Sequence, residues 1–181
     1  MSKIDGASSY RRYLQGDNSA LEELVSAYGD ALVRFAYCLV RDSYLAEDIV
    51  QDAFATLMLK RRHFSERENF RAYLYKIVRN KCMDALRFSK KRVPREAIEN
   101  KFVGGDAEAE LALSERNQTL YRCMQTLPPQ YAEVLYLVYI DGEKPKTVSK
   151  ILRKSEKQTY NLLARAKTAL KERLGGFYED E

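Results

Sequence analysis

The sequence is poor in the residues that build metal, cofactor or disulfide sites. It has three cysteines, Cys38, Cys82 and Cys123, with no Cys-x-x-Cys pair, and His63 is its one histidine. An odd, scattered set of cysteines argues against a disulfide framework and against a zinc site. We therefore expect no metal and no cofactor, and three part-buried thiols in a reducing compartment.

Residues that interrupt helices are also scarce. The 181 residues include 8 glycines and 4 prolines, while leucine, alanine, glutamate, lysine and arginine are abundant. This composition favours helix throughout. With 45% hydrophobic and 31% charged residues, the chain has the composition of a folded globular protein. We expect an all-α fold, and the length allows one large domain or two small ones.

No apolar run approaches the roughly 20 residues that span a bilayer. The first residues, Met1 to Gly6, lack the apolar core of a signal peptide. We expect a cytoplasmic protein without membrane insertion. The net charge of +5 is compatible with a polyanionic partner, although such an excess alone is weak evidence.

Two helical blocks flank a segment of different character. The pattern predicts an N-terminal domain over 8–92, a linker over 93–109 and a C-terminal domain over 110–175. Pro94 breaks the preceding helix, and Gly104-Gly105 gives the linker a permissive backbone. Helices are expected around 10–14, after Asn18 or Ser19, from a cap at Ser43 through Lys60, and over 68–89. In the second block they are expected up to Gln125 and over 129–140, 146–152 and 155–174.

The helix that follows Ser43 has two contrasting faces. At about 100° per residue, one face collects the apolar side chains, namely Ala46, Ile49, Val50, Ala53, Phe54 and Leu57. The opposite face carries Asp48, Gln51 and Asp52. This face is either a solvated surface or a docking surface for a basic partner. A metal or acid–base pair is rejected because no third ligand, histidine or phosphate loop accompanies the two aspartates.

The following helix has a basic, amide-rich face. Phe70, Leu74, Ile77 and Val78 form its expected buried stripe, and the exposed half carries Lys76, Arg79, Asn80, Arg87 and Lys90, with Tyr73 at the border. Cations bind phosphates, and aromatic rings stack on unpaired bases. The loop before the helix, with Phe64, Ser65, Arg67 and Asn69, is placed where a flipped base could be held.

The C-terminal pair of helices has the spacing of a helix-turn-helix. Val148, Ile151 and Leu152 pack the first helix, and Ser155 is the expected cap of the second. Thr159, Leu162, Leu163, Ala166 and Leu170 form the inner stripe of the second helix. Its outer face carries Lys157, Gln158, Tyr160, Asn161 and Arg165. Such a face can enter the major groove, where amides read base edges and cations hold phosphates. Helical hairpins without DNA are also common.

Taken together, these segments resemble the extracytoplasmic-function class of bacterial RNA polymerase sigma factors, over about residues 13–174. The segment from Asp42 to Phe54 looks like the family's core-polymerase-binding helix, and 70–80 with Asp84 and Arg87 looks like its promoter-melting helix. Residues 127–135 and the triplet at 165–167 match its −35-binding module. Several motifs in the right order make the resemblance specific.

The resemblance implies a non-catalytic subunit that binds core RNA polymerase and promoter DNA. Asp48, Gln51 and Asp52 would then contact the clamp helices of the largest polymerase subunit. Phe64, Ser65 and Asn69 would hold −10 bases, and Tyr73, Lys76, Arg79 and Asn80 would face the opening −10 strand. Lys157, Gln158, Tyr160, Asn161 and Arg165 would face the −35 duplex. An anti-sigma factor is expected as a further partner. The acidic residues of the linker would either mimic RNA or simply solubilise it.

Three positions depart from the family's pattern. Tyr73 stands where tryptophan is usual, so stacking should persist while melting weakens. Arg153 stands where the helix-turn-helix turn usually has glycine, at a cost of about 1 kcal/mol if its backbone is left-handed. Residues 147–150 replace the usual Glu-Ile-Ala run, so the family's −35 preference cannot be transferred.

Two other functions remain open at this point. A dimeric helix-turn-helix regulator would bind duplex DNA without polymerase, but it gives no role to the acidic helix. A helical scaffold or sigma-sequestering protein would need no DNA, but it leaves the basic helix and the C-terminal hairpin unexplained. An enzyme is not expected, because no nucleophile–base set can be assembled.

Overall fold

The structure is a computed structural model that describes residues 5–61, 69–92 and 115–179. The described residues are helical apart from caps and turns, as the composition predicts. The predicted linker over 93–109 and the loop residues Phe64 and Ser65 lie outside the described residues. None of the described helices combines the length and the apolar character needed to cross a bilayer.

Among the described residues, the N-terminal domain contains α1 (Gly6–Leu14), α2 (Ser19–Val40), α3 (Ser43–Lys60) and α4 (Phe70–Arg92). α3 begins one residue after its cap, which is Asp42 and not the predicted Ser43. The Asp42 carboxylate accepts a hydrogen bond from the backbone N–H of Leu45 over 3.0 Å, which satisfies one of the free donors of the first turn.

The C-terminal domain contains α5 (Glu115–Gln125), α6 (Pro129–Leu135), a π-helical turn (Tyr136–Ile140), α7 (Pro145–Leu152) and α8 (Glu156–Glu179). Pro129 and Pro145 lie in the first turns of α6 and α7, where a missing N–H costs nothing. The helix predicted over 129–140 is one uninterrupted helical segment, but its last five residues form a wider π-helical turn.

The predicted buried faces are largely confirmed. All six apolar residues of the α3 stripe are buried, and so are the four predicted for α4. In α2, Val25 has the spacing of the buried residues Leu24, Tyr28 and Leu32, but it is exposed. In the hairpin of α7 and α8, the inner residues Thr159, Leu163, Ala166 and Leu170 are buried, while the fifth predicted inner residue, Leu162, is half-buried. The helix-turn-helix thus packs largely as its spacing indicates.

The two domains pack directly against each other. α7 lies against α4, and α5, α6 and the π-helical turn lie against α2. Aromatic rings fill the interface: Phe35 lies 5.5 Å from Tyr136, and Tyr37 lies 6.3 Å from Tyr121, measured between ring centroids. The Tyr121 hydroxyl donates a hydrogen bond to the Arg34 carbonyl over 2.8 Å. The buried core is therefore continuous between the domains.

Replacing Gly6 with alanine is expected to destabilise the fold by about 1–3 kcal/mol, because overpacking a tight site forces buried neighbours to move. A Cβ at this position would lie 2.6 Å from both the Phe70 ring and the Tyr28 hydroxyl. Thermal denaturation measures the effect. The matched control is Gly29→Ala in α2, where the nearest atom to a new Cβ is 3.9 Å away. That variant should gain about 0.5–1 kcal/mol from the alanine's helix propensity, and equal melting of the two variants would contradict the close packing at Gly6.

Candidate protein- and nucleic-acid-binding surfaces

The acidic face of α3 points away from the core. Asp48, Gln51 and Asp52 are all exposed, while the opposite side of the helix is buried. These three residues therefore face outward, as the sequence predicts. One cation does reach this face from the neighbouring helix: Lys81 Nζ of α4 lies 2.6 Å from Asp52 Oδ2. Asp52 is still 70% exposed, so the pair is a surface ion pair with little effect on stability.

Two large apolar side chains flank the acidic residues, and sequence reasoning did not single them out. Tyr44 is 82% exposed and Leu59 is 85% exposed. At about 100° per residue, both lie on the same side of α3 as Asp48. The signal was available in the sequence, because both residues occupy polar-face positions of the helix. The outward face of α3 is thus an acidic centre with an apolar residue at each end, and we call it the α3 face.

The polar side of α4 is less open than predicted. Asn69 is exposed, and its side-chain oxygen accepts a hydrogen bond from the Ala72 N–H over 2.9 Å, so it caps the helix. Tyr73, Lys76 and Asn80 are half-buried. They follow one another at three- and four-residue spacing, which keeps them on neighbouring positions of one helical surface.

Arg79 is where the structure departs most from the expectation of an exposed cation. Its Nε lies 2.7 Å from Glu133 Oε2 and its Nη2 lies 3.0 Å from Glu133 Oε1. Glu133 belongs to α6 of the other domain, and its side chain is 1% exposed. Arg79 therefore makes a two-pronged ion pair across the domain interface, and only 17% of its side chain stays exposed.

Burial controls the acid–base behaviour of Glu133. Removal from water raises the pKa of its carboxyl group, and the hydrogen bonds and charge of Arg79 only partly counteract this. The cost of burying the carboxylate thus outweighs the attraction of its partner, which is common for buried ion pairs. Breaking such a pair on one side is costly, because it leaves an uncompensated buried charge.

A left-handed residue and a helix cap shape the turn of the helix-turn-helix. Arg153 has φ 54° and ψ 43°, the left-handed conformation for which its sequence position predicted strain of about 1 kcal/mol. Ser155 and Gln158 then form a reciprocal cap. The Ser155 hydroxyl accepts from the Gln158 N–H over 3.1 Å, and the Gln158 side-chain oxygen accepts from the Ser155 N–H over 2.9 Å.

The predicted outer face of α8 is exposed. Lys157, Tyr160, Asn161 and Arg165 are all exposed. Gln158 is exposed as well, but its side-chain oxygen is occupied by the cap, so its amide N–H groups are the part left to face a ligand. The structure thus keeps the five residues on one accessible helix and gives Gln158 a second, structural role.

The thiols and acids of the described residues offer no metal-binding cluster of three or more ligands. All three cysteines are buried, more deeply than the sequence predicts. Burial raises the pKa of Cys38 to about 12 and that of Cys82 to about 12, which keeps both protonated and unreactive at neutral pH.

Two protein families match the chain, Sigma-70 region 2 over residues 24–92 and Sigma-70 region 4 over residues 117–170. The first match includes α3 and α4, and the second includes the helix-turn-helix. Their order and separation agree with the two domains of the structure.

Curated relatives extend over nearly the whole length. The ECF RNA polymerase sigma factor SigM of Bacillus subtilis is 27% identical over 83% of this chain and 93% of the relative. SigW of the same organism is 24% identical over 88% of this chain and 91% of the relative.

Solved structures share the fold. CnrH in complex with the cytosolic domain of CnrY superposes with a TM-score of 0.70 and 25% identity, covering 94% of this chain and 97% of CnrH. The sigma factor RpoE of Bartonella quintana, in complex with the anti-sigma factor NepR, gives a TM-score of 0.65 at 21% identity, over 85% of this chain and 96% of RpoE.

Proposed function

We propose that three surfaces of the chain divide the work of an extracytoplasmic-function sigma factor, the family to which the chain belongs. These sigma factors are the non-catalytic subunits with which RNA polymerase initiates transcription at specific promoters. The observation that supports the division best is a separation of charge. The α3 face presents acids outward, and α8 presents cations and amides outward at the other end of the chain. A protein partner and a DNA partner can therefore be held at the same time.

The α3 face is the docking surface for core polymerase. Asp48, Gln51 and Asp52 supply charge and hydrogen-bonding capacity for a basic helical partner, and charge complementarity steers the two surfaces together. Tyr44 and Leu59 extend the contact at both ends. Large exposed apolar groups rimmed by polar residues are typical of protein-interaction sites, and burying them on the partner adds the apolar contribution that acids alone lack.

The polar side of α4 is the −10 surface. Tyr73 offers a ring for base stacking, while Lys76, Arg79 and Asn80 offer partners for the phosphates and base edges of an unpaired strand. Asn69 marks the start of the helix and follows the proposed base-holding residues Phe64 and Ser65 in the sequence. Arg79 can take part only after it leaves Glu133.

The C-terminal domain is the −35 reader. In this division the N-terminal domain comprises 8–92, the linker 93–109 and the C-terminal domain 110–175. Lys157 and Arg165 hold phosphates of the duplex, and Asn161, Tyr160 and the free amide N–H groups of Gln158 face base edges in the major groove.

Truncating Asn161 to alanine is expected to relax the preferred −35 sequence by about 1–3 kcal/mol at one base pair, because one base contact is lost. Gln158→Ala should in addition weaken the N-terminus of α8 by on the order of 1 kcal/mol, because it removes half of the cap. Selection from a randomised duplex library gives the preference of each variant, and thermal denaturation gives its stability. An unchanged preference profile for Asn161→Ala would exclude this residue from base reading.

An anti-sigma factor is a further expected partner. Two structural relatives were solved as complexes, CnrH with the cytosolic domain of CnrY and RpoE with the anti-sigma factor NepR. We extend this kind of partner to the present chain because the fold is shared. We also place the chain in the cytoplasm, where bacterial polymerase and promoter DNA are found.

A further inference from the structure

The proposed −10 helix is tied to the other domain by two of its arginines. Arg79 pairs with the buried carboxylate of Glu133, as described above. Arg71, two turns earlier on α4, lies 2.6 Å from Asp141 Oδ1 through its Nη2 and 2.7 Å from Glu143 Oε1 through its Nε. Arg71 is thus held by two carboxylates, and we call the three acids with Arg71 and Arg79 the interdomain latch.

All three acids of the latch lie close to the domain interface. The side chains of Asp141 and Glu143 are 9% and 16% exposed, and Glu133 is more deeply buried. Each acid is contributed by the C-terminal domain, and both arginines are contributed by α4. Three carboxylates of the C-terminal domain therefore form ion pairs with the guanidinium groups of a helix that is proposed to bind the phosphates of a DNA strand.

Two hydrogen bonds outside the latch also join the domains. Tyr136 donates a hydrogen bond from its hydroxyl to the Ala31 carbonyl over 3.4 Å, and Arg41 Nη2 donates to the Leu127 carbonyl over 2.9 Å. These bonds join the C-terminal domain to α2 and to Arg41, the residue that follows it, whereas the latch joins it to α4. The two sets of contacts hold the domains in one relative orientation.

We infer that the interdomain latch keeps the free chain in a closed, self-inhibited state, in which Glu133 of the C-terminal domain competes with the −10 strand for Arg79, while Asp141 and Glu143 hold Arg71 on the side of α4 that faces that domain. The inference rests on the proposed role of α4. Opening of the latch releases Arg79 for the −10 strand and separates the −10 surface from the −35 reader. The apparent affinity of the free chain for single-stranded DNA is then lowered by the small fraction of open molecules.

The double variant Asp141→Asn with Glu143→Gln tests the latch. It keeps the size of both side chains and removes both charges from Arg71. We expect its radius of gyration, measured by small-angle X-ray scattering, to exceed that of the native chain by more than about 2 Å, against roughly 16 Å for a compact chain of this length. Its affinity for a short single-stranded DNA of random sequence should rise about tenfold if roughly one native molecule in ten is open.

The matched control is Glu22→Gln with Asp30→Asn, which removes the same charge from exposed positions of α2. The radius of gyration of this control should equal that of the native chain. Its affinity for single-stranded DNA should rise only by the small amount that two fewer negative charges produce. Circular dichroism establishes that the latch variant keeps its helices. An unchanged radius in a helical latch variant, or a native chain that is already extended, would overturn the latch. Opening without tighter DNA binding would support the latch and count against α4 as the −10 surface.

Discussion

Replacing both Asp48 and Asp52 with arginine is expected to weaken binding to core RNA polymerase by more than about a hundredfold, or roughly 2.7 kcal/mol. Like charges brought together at an interface cost several kcal/mol, and both substitutions face a surface proposed to be basic. The fold should survive because both side chains are exposed. The lost pair between Asp52 and Lys81 is worth at most about 1 kcal/mol.

Co-purification with core polymerase and a titration by fluorescence anisotropy measure this effect. The matched control reverses two exposed acids of α2, Glu22→Arg with Asp30→Arg, and should leave binding within about threefold of the native value. Leu59→Ser tests the apolar end of the α3 face and should weaken binding by roughly ten- to a hundredfold, since burying one large apolar side chain contributes about 1.5–3 kcal/mol. Undiminished binding by the Asp48 and Asp52 double variant would remove the α3 face from the polymerase contact.

Truncating Phe35 to alanine is expected to destabilise the chain by about 3–5 kcal/mol, because it opens a cavity in the centre of the fold. The ring is fully buried and lies 5.3 Å from the Tyr75 ring of its own domain and 5.5 Å from the Tyr136 ring of the other domain. For a chain of this size such a loss lowers the melting temperature by about 10 °C.

Phe88→Ala is the matched control, because it removes the same side chain from an exposed position. It should change the stability by no more than about 0.5 kcal/mol. Differential scanning calorimetry compares the two variants and also reports whether the domains melt together. A Phe35 variant that melts within about 2 °C of the native chain would show that the ring does not connect two packed domains.

Local pattern was sufficient to predict the helices and their buried sides. α3 ends at the predicted residue, Lys60, and buries the predicted stripe, because a helical repeat of apolar residues depends on neighbours three and four positions apart. The reciprocal cap of Ser155 and Gln158 is local in the same way, although only Ser155 was predicted. The cap of α3 was misplaced by one residue, since Asp42 and Ser43 are both good caps.

The environment of α4 could not be predicted from its own sequence. Arg79 has the position of a solvated cation on its helix, but its partner Glu133 is 54 residues away. The same reason explains Tyr75, which is fully buried although it lies outside the predicted stripe. Both residues are covered by the second domain, and a helical repeat carries no information about which surfaces of two domains meet.

Transcription of a fragmented bacterial genome by purified core polymerase, with and without this chain, tests the account most directly. The 5′ ends of the transcripts are mapped by sequencing. The account predicts that the chain produces a set of start sites preceded by two shared sequence elements, one at −10 and one at −35, and that reversing Asp48 and Asp52 abolishes this set. Start sites that are the same with and without the chain would contradict it.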